Sequence, residues 1–218
     1  MVTSIPRLAP SSSPGLFIAV GLAWAGVACS AVGWTLPAAA LFLSAAAGAV
    51  AALHIFARPE EPANLAGVHP TFPLFVRLAY AWLLIGGTLA VWAVIADRNG
   101  GIWGASSHAV TVGFLAAMVF AIGQMVLPAF CGVRVLFSKR VMFASLLLLN
   151  IGCALRVCSE IHAYEGFAYA AGFWRVLPVS AVTELAAVAV FAANLLLTFS
   201  TLPAHLQASR MPPDWKAA

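Results

Sequence analysis

Six stretches of this chain are continuously apolar over roughly 20 residues each, and this feature limits the possible folds more than any other. They run approximately over 15–34, 37–57, 74–96, 107–130, 141–162 and 176–202. A helix rises about 1.5 Å per residue, so about 20 residues cross the hydrocarbon core of a bilayer. The runs do not alternate apolar and polar residues with period two, which favours helices over a membrane barrel. Only 8% of the residues are charged and 63% are hydrophobic, whereas soluble chains carry about 25% charged residues. The expectation is an all-α integral membrane protein: a bundle of about six transmembrane helices over 15–202, an N-terminal tail over 1–14 and a C-terminal tail over 203–218.

Turn-forming residues separate the runs: Pro37, "RPEEPANLAGVHPTFP", "DRNGG", "CGVRVLFSKR" and "YEGFAYAAGFWR". The opening "MVTSIPRLAPSSSP" reads as a disordered tail. A signal peptide competes with that reading, since Arg7 precedes an apolar stretch containing "AGVACSA". That stretch continues past Trp34 and is long enough to span.

Orientation follows from Lys and Arg. With six spans, Arg7, Arg58, Arg134, Lys139, Arg140, Arg210 and Lys216 share one side, with Arg77 just inside the third helix. The other side holds Arg98 and Arg175, with Arg156 inside the fifth helix. The positive-inside rule predicts both termini in the cytoplasm. Trp34, Trp103, Phe173 and Trp174 then form an outer aromatic belt. The net charge of +4 needs no nucleic-acid partner to explain it. Cys29, Cys131, Cys153 and Cys158 show no CxxC spacing and read as free thiols within or beside spans. In the second helix Ser44, Gly48 and Ala52 recur every four positions, a pattern that lets helices approach closely.

The polar residues inside the spans carry what chemistry the sequence offers. Arg156 and Glu184 fall at similar depths when the fifth helix runs outward and the sixth inward, so they are expected to form an ion pair. Such a pair is either a brace between helices or part of a proton or ligand path. Glu160, His162 and Tyr164 at the outer end of the fifth helix are expected to face a polar pocket. His108, at the outer start of the fourth helix, is expected at the level of His162, and two imidazoles at one level are candidate ligands for haem iron or copper. His54, at the end of the second helix, is a further metal candidate, with His69 and His205 on the same side. Interfacial histidines without a metal are the competing reading, and no HxxxH or HExxH pattern is present. Gln124, Asn150 and Asn194 are read as interhelical hydrogen-bonding residues, with Gln124 one turn before the helix-bending Pro128.

The stretches "SSHAVTVGFLAAMVFAIGQMVLPAFCG", "RVMFASLLLLNIGCALRVCSEIHAY" and "WRVLPVSAVTELAAVAVFAANLLLTF" resemble later helices of the NnrS family, and "FPLFVRLAYAWLLIGGTLAVWA" is similar to a preceding one. The resemblance covers roughly residues 72–200. It implies a bacterial inner-membrane protein containing haem and copper and linked to nitric oxide metabolism, with His108 as the best-matched ligand. The family's full-length members have about twice as many helices, and this chain lacks their early "HEMLFGF"-like motif. Part of a metal site is then either missing or completed by another subunit.

Two functional classes follow. One is a haem- or copper-binding membrane protein using His108 and His162. The other is a cofactor-free subunit packed against a larger respiratory or redox assembly or a second copy of itself. Nothing in the sequence supports an enzymatic assignment: no nucleophile and base pair, phosphate loop or catalytic carboxylate pair is discernible.

Overall fold

A computed structural model describes residues 13–57, 69–130, 136–166 and 169–200. The expectations for Arg7, Arg58, Arg134, Arg210, Lys216, Cys131, His205 and the C-terminal tail lie outside those residues. Every regular element among the described residues is a helix: α1 (Ser13–Ala31), α2 (Thr35–Ala52), α3 (Phe72–Ala96), α4 (Gly101–His108), a π-helical segment (Ala109–Ala116), α5 (Ala117–Phe130), α6 (Lys139–Tyr164) and α7 (Ala170–Ser200). α4, the π segment and α5 run on without a break, so six long apolar helices result, each long enough to cross a membrane.

Local chemistry sets the helix ends. Gly33 adopts a positive φ of 81°, and the Gly33 and Trp34 amides bond back to the Ser30 and Cys29 carbonyls, which closes α1 with a Schellman turn. α2 closes the same way, but with His54 at φ 53° in the position glycine usually fills. α2 therefore stops at Ala52 and not near residue 57, and Arg77 of α3 donates to the Ile55 and Ala57 carbonyls just beyond it. α7 begins at Ala170, six residues before the expected 176, and carries Pro178 inside it.

The fourth helix also starts early. Two carboxylates gather the free amides at its N-terminus, as an unsatisfied helix start requires. Asp97 accepts from the Gly100 and Trp103 amides at 2.7 and 2.8 Å. Glu165, beyond α6, accepts from Arg98, Asn99 and Gly101 at 3.2, 3.4 and 3.2 Å. Burial pushes the Asp97 carboxyl up, but hydrogen bonds with the Trp103 amide, the Glu165 side chain and the Gly100 and Asn99 amides hold it below the usual carboxylate range. The helix accordingly begins at Gly101 and not near 107.

α1 and α2 form a hairpin whose α2 leans on α3, where Gly87 receives Leu43. Within it Gly48 meets Ala19 of α1 and Ala52 is buried, whereas Ser44 is exposed and bonds to the Ala40 carbonyl. The remaining helices pack as a tighter unit in which α6 and α7 share the most extensive contact. Two apolar clusters fill it. Phe75, Phe120, Met142, Leu146, Leu149 and Leu195 belong to one, and Leu89, Ile102, Ala105, Cys153 and Val157 to the other. Gln124, Ser145 and Asn194 are buried beside the first cluster and satisfy one another: Asn194 Nδ2 donates to Gln124 Oε1 at 2.7 Å, and Gln124 Nε2 donates to Ser145 at 3.2 Å. Asn150 accepts from Trp82 Nε1 at 3.0 Å. The outward faces of the helices are apolar, with Val182, Leu185 and Leu196 among many exposed aliphatic side chains.

Candidate functional site

The two apolar clusters meet on α6 between Leu149 and Cys153, and a polar site occupies that junction. Gly152 makes it possible. A β-carbon there would lie 2.6 Å from Glu184 Cγ, 3.2 Å from the Glu184 amide nitrogen and 3.3 Å from the Ser180 carbonyl oxygen. The missing side chain lets α7 press onto α6 and gives Glu184 a way across to α4. There His108 Nε2 lies 3.1 and 3.2 Å from Glu184 Oε1 and Oε2. The pair is partly sheltered, with side chains 25% and 17% exposed. His108 is the last residue before the π segment, an element found often at functional positions in helices. Within that segment Gly113 makes room for Trp82, whose Cγ would lie 2.5 Å from an added β-carbon.

Arg156 does not reach Glu184, contrary to the pairing expected from depth. Its Nη2 and Nε donate to Glu160 Oε1 at 2.8 and 2.9 Å. Glu160 stands four residues further along the same helix face, so the two side chains meet within α6, while Glu184 is taken up by His108. Glu160 is also not in an open polar pocket. It is 7% exposed and packed under α4, where a β-carbon at Gly104 would lie 3.3 Å from its Oε2. Tyr164 packs against Trp174 with ring centres 4.8 Å apart, and its β-carbon abuts Gly101.

His108 and His162 are not brought to one level. The early start of α4 carries His108 about six residues, or roughly 9 Å, deeper than a helix beginning near 107. His162 stays near the end of α6, where its ring stacks on Phe173 at 4.4 Å and its Nδ1 bonds the Cys158 carbonyl at 2.8 Å. His54 serves the α2 turn. Among the described residues no three His, Cys, Asp or Glu side chains converge as a metal site would require. Cys153, buried on α6, approaches the His108 carbonyl oxygen at 4.0 Å.

The His108–Glu184 pairing was missed in the sequence because 76 residues separate its members. The signal that could have found it is Gly152, a glycine in an apolar helix one turn before an arginine. Two cavities among the described residues lie beside these helices. One of about 560 Å³ opens between the α1–α2 hairpin and the α3 and α4 region, including Phe42, Leu83, Gly87 and Ser107. The other, of about 290 Å³, lies between α3 and α6 beside Trp82 and Asn150.

A family model described as a domain of unknown function, DUF8744, matches residues 2–196. The chain belongs to this family. No curated protein and no solved structure matches it.

Proposed function

We propose that this DUF8744 member is a multi-pass protein of the bacterial cytoplasmic membrane, with both termini in the cytoplasm, whose α4, α6 and α7 hold a proton-exchanging histidine–glutamate site within the bilayer. Six long apolar helices with apolar outward faces support the membrane location. Lys139 and Arg140 at the start of α6 and Arg77 near the start of α3 support the orientation, set against Arg98 and Arg175 at the opposite end.

The observation that carries the reading is Glu184 crossing at Gly152 to meet His108 Nε2. A carboxylate alone in a bilayer interior is unfavourable, so ionisable groups there pair with one another and often mark proton relays. Imidazole and carboxylate next to each other hold one proton in either of two arrangements, an ion pair or a neutral pair. Passing that proton between the two groups leaves the net charge of the pair at zero, whereas exchanging a proton with the surroundings changes it by one. Both side chains are partly exposed on the helix bundle, so neither is sealed inside the protein.

A haem or copper centre would draw on the same residues. His108 and Glu184 offer two donor atoms, but the Nε2 that would bind a metal is directed at the carboxylate, and among the described residues no third ligand converges. A three-ligand copper site therefore has no full donor set among the described residues, and the proton-exchange reading routes no step through a metal.

The test is pH-difference infrared spectroscopy of the protein in lipid vesicles. Lowering the pH should produce coupled carboxylic-acid and imidazole changes that disappear in Glu184→Gln, with the imidazole part also lost in His108→Phe. Spectra identical in wild type and both variants would overturn the reading and leave the pair as a static brace in a cofactor-free subunit.

A further inference from the structure

The larger cavity follows from the way the first two helices meet the rest of the chain. α1 packs on α2, α2 on α3, and α3 on α4 and the π segment. α1 and the α4–π stretch therefore stand as two walls, with α2 and α3 as the floor, and the cavity of about 560 Å³ lies between them. Small residues keep it open. Its floor includes Ala45 and Ala46 of α2 and Gly86 and Gly87 of α3, all four of them buried. At its rim Val20 of α1 and Phe42 of α2 are exposed and continue the apolar outward face of the helices.

The lining decides what can occupy this space. Among the described residues no charged side chain borders it, so a charged solute would give up its hydration without gaining a partner. A trapped water needs about two to four polar partners. The Ser106 hydroxyl already donates to the Gly86 carbonyl at 2.8 Å and the Thr111 hydroxyl to the Ser107 carbonyl at 2.8 Å, which leaves Ser107 as the one uncommitted hydroxyl of the described lining. The lining residues of α1 run over positions 16–23, roughly 10 Å of helix. A helix about 10–12 Å across would need roughly 800 Å³ or more over that length, so a helix from a second copy or another protein does not fit. A hydrocarbon chain is narrower, and the volume lies within the roughly 300–1,000 Å³ of small-molecule sites.

We propose that this cavity holds an acyl chain of a bilayer lipid, which enters past Val20 and Phe42 while its headgroup stays at the membrane surface. This rests on the membrane location proposed above and not on the His108–Glu184 chemistry. The chain covers apolar surface that α1 and the α4–π stretch do not give to each other, and so ties the α1–α2 hairpin to the helices that carry the pair.

The whole chain in phosphatidylcholine vesicles containing a phospholipid with a diazirine at the middle of one acyl chain tests this. After illumination, mass spectrometry should find label on Ala45, Ala46, Gly86 or Gly87, as well as on Val182 and Leu185 of the exposed α7 face. Label on α7 with none beyond the rim residues Val20 and Phe42 overturns this inference and leaves the membrane location intact. Absence of label from α7 as well sinks the membrane location and this inference with it. Ala46→Phe and Ala90→Phe each fill the cavity from a different helix. Both should remove label from the remaining floor residues and leave that on α7 unchanged, and undiminished floor labelling in the two variants also overturns the assignment. The comparison of floor with α7 in the unaltered protein decides the matter even if neither filled variant folds.

Discussion

Replacing Gly152 with alanine adds one methyl group at the point where α7 crosses α6. The new carbon would lie 2.6 Å from Glu184 Cγ, and its next neighbours, at 3.2 and 3.3 Å, are the backbone Glu184 nitrogen and Ser180 oxygen. A side-chain atom could move aside, but the backbone atoms move only with α7 itself. Overpacking of this kind costs about 1–3 kcal/mol, and alanine returns roughly 1 kcal/mol through its better helix propensity. The net expectation is a loss of about 0–2 kcal/mol relative to wild type, up to roughly thirtyfold in the unfolding equilibrium, and about 1–3 kcal/mol relative to an alanine that gains helix propensity without the clash. Gly172→Ala in α7 is the matched control, because a β-carbon there meets nothing within 4 Å. It should leave stability unchanged or raise it by up to about 1 kcal/mol. Unfolding titrated with a denaturing detergent against a mild one measures both. Gly152→Ala as stable as Gly172→Ala would refute the argument that the absent side chain sets the approach of α7 and the path of Glu184.

Gly113→Ala should also destabilise, by about 1–3 kcal/mol, since its β-carbon would sit 2.5 and 2.7 Å from Trp82 Cγ and Cβ; unchanged stability in the same unfolding assay would contradict the packing. Asn194→Leu deprives Gln124 Oε1 of a donor and the Ser138 amide of its acceptor in a fully buried position. A loss of about 2 kcal/mol or more is expected from those orphaned groups, and a stability equal to wild type would show the network to be dispensable. Asp97, its carboxyl held below the usual range, contributes stability that is fully present above its unfolded value near 3.9 and lost as pH falls through the lower folded value. Stability followed from about pH 6 to pH 3 should show an acid-side decline that is smaller in Asp97→Asn; an identical decline would remove Asp97 as its source. An oxidised-minus-reduced visible spectrum with metal analysis separates the two classes: a proton site alone gives a featureless spectrum, and haem bands or stoichiometric copper lost in His108→Ala would establish the metal site.

The exposed apolar exterior and the buried polar interior of the α4–α7 unit follow from different kinds of information. Gln124, Asn150 and Asn194 were recognisable in the sequence as interhelical hydrogen-bonding residues, because an amide in an apolar run is costly unless it finds a partner. Which partner each found was not. Asn194 reaches Gln124 across 70 residues, and Asn150 meets Trp82 across 68. Position along a helix was legible, but rotation about its axis was not.

The sequence by itself determined the six long apolar helices, because a run of about 20 apolar residues has one economical way to satisfy its backbone in a bilayer. It also determined which residues are polar within them. Tertiary structure decided how they pair. Arg156 and Glu184 have matching depths in the sequence, yet a carboxylate one turn away on its own helix takes the arginine, and a missing side chain at Gly152 delivers Glu184 to His108. His108 itself lies deeper than its neighbours suggested, because Asp97 and Glu165, from two different ends of the chain's helices, cap the start of α4 six residues early. Depth is a property of one helix and can be counted along the chain; partnership depends on the axial rotation and close approach of two helices, which is fixed only when they pack.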